Sequence, residues 1–299
     1  MAMTWIENKR VVVTGATSGI GREVATALAA LGALVVLACR DRTRGEAVAR
    51  EINGTAGAER ATVMTVDTSD HSSIRAFARR YRDTNRALDV LVNNAGVLLP
   101  DRRTSVDGIE LTFATNVLGY HLVTTELLDA LKEGAPSRVV NVASTFAFAV
   151  DMDDLQFERR PYDGLTAYAQ SKALDRMLTW AFARRLQGDS VTVNAIAPGL
   201  VLETRLYRDL SEETKRELAQ YGSRSVPEGA DTAVWLASSA ELDGVSGRFF
   251  EQGAEKPCEF RDEEAEECLW QACEQLVGRS HGGPELESYV RVPCERPAE

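Results

Sequence analysis

Short apolar runs of strand length recur along the first 250 residues of the chain. Their apolar positions follow one another without polar interruption, which is typical of strands covered by helices on both faces of a parallel sheet. The runs predict about seven strands, at residues 11–13, 33–38, 61–66, 88–92, 139–142, 191–196 and 248–250.

Segments with the apolar spacing of amphipathic helices lie between these runs, at residues 21–31, 44–52, 72–81, 108–131 and 166–186. Strands and helices therefore alternate along the chain. In a parallel sheet, such helices form right-handed crossovers on both faces. The predicted fold class is α/β, a Rossmann-type doubly wound parallel sheet flanked by helices.

A different pattern follows residue 250. Apolar residues there recur on one face of a helix, at Ala265, Leu269, Ala272, Cys273 and Leu276. We therefore expect a Rossmann-fold catalytic domain over residues 1–250 and a docked C-terminal helical extension over 251–278. Residues 279–299 are rich in Gly and Pro and are expected to form a mobile tail.

Charge and composition exclude several classes of protein. The 44% apolar content is that of a globular chain, and the formal charge of −11 leaves no basic footprint for nucleic acid or an anionic membrane. No stretch reaches the roughly 18 consecutive apolar residues of a membrane helix, and the amino terminus lacks the apolar core of a signal peptide. We expect a cytoplasmic protein without a membrane anchor. The His and Cys residues have no metal-ligand spacing, so we predict no metal site.

A glycine-rich turn joins the first predicted strand to the first helix in the sequence VVVTGATSGIG, residues 11–21. Gly15 allows a tight turn, and Gly19 and Gly21 allow backbone amides to approach a diphosphate closely. A plain structural turn is the alternative. The spacing T-G-x-x-x-G-x-G resembles the short-chain dehydrogenase/reductase family. The resemblance implies cofactor contacts from Gly15, Thr17, Ser18, Gly19, Ile20 and Gly21.

The end of the second predicted strand bears on the choice of cofactor. It reads LACRD, with Cys39 where an acid would receive the ribose hydroxyl of NAD and Arg40 next to it. An arginine there suits the 2′-phosphate of NADP. We therefore predict that NADP(H) is preferred over NAD(H). A strand end shifted by one residue would present Asp41 instead and reverse the preference, and Arg42 and Arg44 are either further phosphate contacts or solvated.

Two further strand ends carry candidate cofactor residues. The third strand is followed by Asp67 and Thr68, and the family resemblance implies that Asp67 binds the adenine amino group. A helix cap is the alternative for Asp67. The fourth strand runs into Asn93 and Asn94, where ligands of open α/β sheets bind. Asn94 is the cofactor candidate, and Asn93 is expected to brace the sheet.

A Tyr/Lys pair carries the candidate chemistry. Tyr168 and Lys172 are four residues apart in a predicted helix, so an ammonium lies beside a phenol and favours its ionisation. Such a pair is commonly a surface pair. Ser144, however, follows a buried strand at the same sheet edge, and Asn116 lies in the helix after the fourth strand. Short-chain dehydrogenases carry an Asn-Ser-Tyr-Lys tetrad in this order.

The resemblance, which covers about residues 8–250, implies a role for each of these residues. Ser144 and Tyr168 would bind the substrate oxygen, and Tyr168 would exchange the proton. Lys172 would lower the tyrosine pKa and hold the nicotinamide ribose, while Asn116 would anchor a water molecule of a proton relay. The nicotinamide carboxamide would be held by Pro198, Gly199 and Thr204.

Within the family, the sequence resembles the retinol-dehydrogenase-like branch through LACRD, the long interval between Ser144 and Tyr168, and a tryptophan-bearing final helix. The branch implies a lipophilic carbonyl or alcohol substrate, and relatives suggest a possible homodimer. Aromatic residues of segment 145–166 and the segment 201–227 are expected to wall an apolar pocket. Alternatives are a light-dependent protochlorophyllide-reductase-like double-bond reductase and a non-catalytic cofactor-sensing or scaffold protein.

Overall fold

The computed structural model describes residues 5–278, and the predicted tail at 279–299 lies outside them. Eight strands form one sheet in the order β3-β2-β1-β4-β5-β6-β7-β8. The predicted doubly wound parallel sheet is confirmed. The strands are β1 Arg10–Thr14, β2 Leu34–Cys39, β3 Ala61–Thr65, β4 Val90–Asn93, β5 Ser137–Val142, β6 Val191–Ala197, β7 Phe249–Glu251 and β8 Ala254–Lys256.

The strand order reverses beside β1, which pairs in parallel with β2 on one side and β4 on the other. This is the switch point at which open α/β sheets bind ligands. Apolar residues of β1 face both sides: Val12 belongs to one core cluster, whereas Val11 and Val13 belong to the opposite one. Burial on both faces explains why the strands are apolar without alternation.

The sheet contains one strand, β8, that the sequence does not predict. β8 is antiparallel to β7, and the turn between them uses positive φ at Gln252 and Gly253. Its three residues, Ala254–Lys256, are all exposed. An exposed, polar edge strand leaves no apolar run in the sequence, so pattern alone does not find it.

Helices cover both faces of the sheet. They are α1 Gly19–Ala30, α2 Arg42–Ala56, α3 His71–Thr84, α4 Leu111–Phe113, α5 Gly119–Glu126, α6 Leu128–Glu133, α7 Gly164–Arg185, α8 Glu212–Ala219, α9 Val226–Ser238 and α10 Glu263–Gly278. None within residues 5–278 is long and apolar enough to cross a membrane. The helix predicted at 108–131 is instead divided, because a π-helical turn at Ala114–Leu118 separates α4 from α5 and Leu127 leaves the helical conformation.

The final helix, α10, packs against α7. Leu269 and Cys273 are fully buried in the same core cluster as Phe182 of α7. Two polar contacts of α10 accompany this apolar contact. Glu266 pairs with Arg184, and Glu274 Oε1 lies 3.1 Å from Nε2 of the buried His121. α10 thus covers the outer side of the helix that carries Tyr168 and Lys172.

Candidate active site

A cleft of about 270 Å³ opens at the carboxyl edge of the parallel strands. The loops after β1, β2, β3, β4 and β6 meet there, together with one face of α7. Of the predicted cofactor residues, only Gly199 does not line the cleft. Those that line it are Gly15, Thr17, Ser18, Gly19, Ile20, Gly21, Arg40, Asp67, Thr68, Asn94, Tyr168, Lys172, Pro198 and Thr204.

The glycines of the β1–α1 loop are required by its geometry. Gly15 and Gly19 have φ values of +68° and +53°, which L side chains rarely adopt. A Cβ on Gly21 would stand 2.3 Å from Nδ2 of Asn94 and 2.7 Å from the carbonyl oxygen of Gly15. α1 begins at Gly19, so its free amides point toward the cleft edge, as a diphosphate group requires. The loop therefore fits a dinucleotide.

Charged side chains surround the adenosine end of the cleft. β2 ends at Cys39, and the Asp41 carboxylate caps α2 by accepting a hydrogen bond from the Arg44 amide at 3.0 Å. Arg40 and Arg44 both line the cleft. Arg42 does not, and pairs with Glu46 at 2.7 Å. Asp41, the acid that could have reversed the cofactor preference, lines the cleft as well, with its Oδ1 engaged in the cap of α2.

Asp67 and the two asparagines after β4 are held by their neighbours. Asp67 Oδ1 accepts hydrogen bonds from the amide and hydroxyl of Ser69, while Asp70, not Asp67, caps α3. Asn94 Nδ2 donates to the Thr14 carbonyl at 2.8 Å and so joins β4 to β1. Asn93 lies inside the sheet and donates to other buried side chains, namely Thr124 and Asn141.

Tyr168 and Lys172 lie one turn apart on α7 and face the cleft. Tyr168 is buried, and Ser144 is near enough to interact with its hydroxyl. Burial raises the pKa of Tyr168 well above its usual value, nearby Tyr207 and Asp175 raise it further, and Ser144 lowers it. Tyr168 is thus firmly protonated at neutral pH, as a proton donor must be.

The Lys172 ammonium is held by three kinds of contact. Its Nζ donates to the Val142 carbonyl at 2.9 Å and to Asp175 Oδ2 at 2.8 Å. It also lies 5.2 Å from the ring centroid of Tyr120 and 5.7 Å from that of Tyr168. A buried ammonium is therefore fixed beside the phenol by the strand end, a carboxylate and two aromatic faces.

Asn116 lies in the π-helical turn and is fully buried. Its Oδ1 accepts from the Val97 amide, and its two Nδ2 protons go to the Val97 carbonyl and the Ser171 hydroxyl. Asn116 thus ties the loop after β4 to α7 next to the Tyr/Lys pair. With both amide protons engaged, the side chain has none to give to a relay water.

Known proteins resemble this chain over most of its length. The model of the short chain dehydrogenase family matches residues 9–215. Human retinol dehydrogenase 13 is 39% identical over 285 residues, covering 91% of this chain and 86% of its own. The chain belongs to the short-chain dehydrogenase family.

The identity to human retinol dehydrogenase 13 confirms the retinol-dehydrogenase-like branch predicted from the sequence, and solved structures agree with the family membership. The crystal structure of an uncharacterised protein from Mycobacterium paratuberculosis shares 31% identity at a TM-score of 0.74, covering 93% of this chain and 96% of its own. A short chain dehydrogenase from Burkholderia cenocepacia, solved in complex with NADP, shares 26% identity at a TM-score of 0.68, covering 84% and 100%. The chain is thus an oxidoreductase of a family that uses NAD(P).

Two segments give the cleft of this short-chain dehydrogenase its apolar lining. They contribute Leu98 and Leu99 after β4, and Leu206 from the segment before α8. Phe146 and Phe148 stack edge to face just after Ser144, with 37% and 43% of their surfaces exposed. They lie outside the cleft lining.

The other two aromatic residues of segment 145–166 are structural. Phe157 is buried and packs on Tyr162, whose hydroxyl lies 3.3 Å from Glu110 Oε1. These two residues therefore pack the segment onto the domain and do not wall the cleft, because a long insert needs its own anchors to the domain. Trp180 is buried in the core, and the partly buried Trp235 packs against the core on the other face of the sheet.

Several residues of the site belong to no recognisable sequence motif. Asp175 follows Lys172 by three residues, a spacing that is visible in the sequence but common on surface helices. Tyr207 comes from the segment before α8 and is near enough to Tyr168 to raise its pKa. Burial raises the pKa of Tyr207 to about 12. Only the packing around them brings these groups to the pair.

Proposed function

We propose that the protein is an NADP(H)-dependent oxidoreductase that interconverts a carbonyl and an alcohol on a lipophilic substrate. One observation carries the proposal: the glycine loop and the Tyr168–Lys172 pair line the same cleft, with Ser144 near the Tyr168 hydroxyl. The similarity to retinol dehydrogenase 13, named for an apolar alcohol, supports the substrate class.

The residues of the cleft divide the work of such a reaction. A bound nicotinamide cofactor would supply or accept the hydride. Ser144 and Tyr168 hold the substrate oxygen by hydrogen bonds, and Tyr168 donates its phenolic proton to that oxygen during reduction. Lys172 stabilises the phenolate that remains, because its ammonium is fixed beside the ring. In the oxidation of an alcohol, the phenolate takes the proton back.

The preference for NADP(H) rests on the charges at the adenosine end. Arg40 and Arg44 stand at the cleft, and the nearest alternative acceptor of a ribose hydroxyl, Asp41, is used as a helix cap. Two guanidinium groups suit a 2′-phosphate better than a hydroxyl. The NADP complex of the Burkholderia cenocepacia relative supports the same choice.

A reduction assay with matched variants tests the proposal. NADPH or NADH is supplied with retinaldehyde and with straight-chain aldehydes of increasing length. We expect kcat/KM to be higher with NADPH and to rise with chain length. Tyr168→Phe should lose activity by about a hundredfold or more, the usual range for a general acid.

Tyr81→Phe is the matched control, since Tyr81 is also a buried tyrosine with a bonded hydroxyl, 3.0 Å from the Ala87 carbonyl, and it lies outside the site. It should keep the wild-type rate while losing about 1 kcal/mol of stability. Equal rates of carbonyl reduction for Tyr168→Phe and the wild type would contradict the mechanism. A preference for NADH would overturn the cofactor assignment.

A further inference from the structure

The buried carboxylate of Asp175 has no place in the mechanism given above, yet it touches the group on which that mechanism depends. Its side chain is fully buried, and Oδ2 lies 2.8 Å from Nζ of Lys172. The ammonium therefore does not present its whole charge to the phenol.

The second oxygen of this carboxylate points to a role based on charge. Asp175 Oδ1 is buried and makes no hydrogen bond with any residue in the range 5–278. A carboxylate that served only to brace α7 would be expected to use both oxygens, because an unsatisfied buried acceptor is costly. Its one polar side-chain contact among these residues is the catalytic-site lysine.

The surroundings of Asp175 keep water away from the pair. Asp175 bonds to Lys172 on α7, and its charge acts on three further groups: Tyr168 of α7, Tyr120 at the start of α5, and Cys273 of α10. Burial raises the pKa of both the Tyr120 phenol and the Cys273 thiol, so both stay neutral at physiological pH. Two more distant groups complete the set, Tyr207 beside Tyr168 and Glu274 beside Cys273. Lys172 is thus the cation that balances Asp175.

We propose that Asp175 is a positioning residue that acts on Tyr168 through Lys172: its carboxylate fixes the ammonium and offsets its charge, which keeps the tyrosine hydroxyl protonated. The proposal rests on the proposed function, in which Tyr168 is the proton donor. Tyr168 therefore stays protonated over a wider pH range than it would beside a lysine without a counter-ion. α10 contributes by sealing the pair from solvent.

The direction of the effect follows from electrostatics alone. Removing a negative charge lowers the pKa of every neighbouring group that feels it, the phenol and the ammonium alike. Whichever of the two loses its proton first, the first deprotonation of the Tyr168–Lys172 pair must move to lower pH. Burial raises the pKa of Asp175 to about 7 and Lys172 opposes the rise, so the carboxylate is charged in the alkaline range where the phenol titrates.

The test is a titration of Tyr168 in Asp175→Asn, which keeps the shape and removes the charge. Tyrosine labelled with ¹³C at the hydroxyl-bearing ring carbon reports phenol ionisation by NMR, and the spectrum of Tyr168→Phe assigns the resonance. We expect the Tyr168 resonance to begin its ionisation shift about one pH unit or more lower than in the wild type. The alkaline limb of the pH profile for NADPH-dependent reduction should move by the same amount.

Asp89→Asn is the matched control, since Asp89 is a buried carboxylate paired with Lys9 at 2.8 Å, at the opposite edge of the sheet. It should leave the Tyr168 titration unchanged. If Asp175→Asn does not fold, Asp175→Ser removes the same charge with a smaller side chain and carries the same expectation. An onset that is unchanged or higher in the folded variant overturns the proposal, as does a resonance that never shifts in either protein.

The two proposals fail separately. A wild-type protein that reduces no carbonyl with NADPH contradicts the proposed function, but the NMR titration still decides whether Asp175 sets the ionisation of Tyr168. An active enzyme whose Tyr168 titration ignores Asp175 keeps the function and removes Asp175 from the mechanism.

Discussion

The two ends of the cleft are built from opposite kinds of contact. At the adenosine end the Arg40 side chain is 66% exposed, and its nearest acid, Asp67, is 4.0 Å away. At the catalytic end the Lys172 side chain is 4% exposed and its partner Asp175 is fully buried. One end presents charges in water, and the other holds charges in a dry, hydrogen-bonded site.

This difference in exposure determines what each end can do. Charges in water are screened and cost little to rearrange, so they suit the choice between two cofactors that differ by one phosphate. Charges in a dry site act strongly over short distances, so they suit the control of a proton. We call the catalytic end, at Lys172 and Asp175, the closed end, and the adenosine end, at Arg40, the open end. Substitutions at the closed end should therefore have larger effects than those at the open end.

The closed end should be most sensitive at Lys172. Replacing it with Met removes the charge that stabilises the phenolate and leaves Asp175 buried without a partner, so we expect kcat/KM for carbonyl reduction to fall by about a hundredfold or more. Lys132→Met is the control, because Lys132 pairs with Asp189 on the surface at 2.9 Å. A Lys172→Met enzyme with near-normal kinetics would show that the buried charge is unnecessary.

The glycine loop between the two ends should come next. In Gly21→Ala a methyl group would stand within 3 Å of Asn94 Nδ2 and the Gly15 carbonyl, so the loop must shift and NADPH affinity should fall by about tenfold or more. Gly54→Ala is the control, since it adds the same methyl group to α2 where nothing lies within 4 Å.

The control should gain about 0.5–1 kcal/mol of stability, because Ala suits a helix interior better than Gly. Both quantities follow from fluorescence titration with NADPH and from thermal unfolding. Unchanged affinity in Gly21→Ala would remove the loop from the cofactor site.

At the open end, Arg40→Ala should raise KM for NADPH by about tenfold and leave KM for NADH nearly unchanged, since only NADPH carries the extra phosphate. Added salt should weaken the wild-type preference, because the guanidinium is exposed. Arg42→Ala is the control, as Arg42 pairs with Glu46 away from the cleft. An equal loss with both cofactors would assign Arg40 to a contact other than the phosphate.

The smallest effects, on stability, are expected for two acids of α10, one buried and one exposed. Glu266 is fully buried against Arg184, whereas Glu267 is 47% exposed against Arg185. Glu266→Gln should cost about 1–3 kcal/mol of unfolding free energy, because it leaves a half-buried guanidinium without its acid. Glu267→Gln should cost less than about 1 kcal/mol, as exposed pairs do. Equal costs in urea denaturation would contradict the contrast.

The sequence predicts the open end better than the closed one. The glycine loop, Arg40 and the polar residues after strands are local signals, because the carboxyl ends of parallel strands meet at one edge whatever the packing elsewhere. The position of Asp41 needed the structure, since the pattern alone does not show that its carboxylate caps α2 at the edge of the cleft.

The closed end depends on contacts between distant parts of the chain. Lys172 and Asp175 are three residues apart, but the groups that interact with them come from distant helices, Tyr120 from α5 and Cys273 from α10. Tyr207 reaches Tyr168 only through the path of the segment before α8. Periodicity marks the helices that supply these residues, but it does not fix how the helices pack, so a sequence reading misses the partners.

The division of work between the two ends is tested most directly by measuring NADPH affinity and the single-turnover rate of aldehyde reduction in Tyr168→Phe and Arg40→Ala. We predict that Tyr168→Phe binds NADPH with little change yet transfers hydride at least about a hundredfold more slowly. Arg40→Ala should bind NADPH about tenfold more weakly and react at the wild-type rate once saturated. A Tyr168→Phe protein that reduces the aldehyde at the wild-type rate would contradict the account.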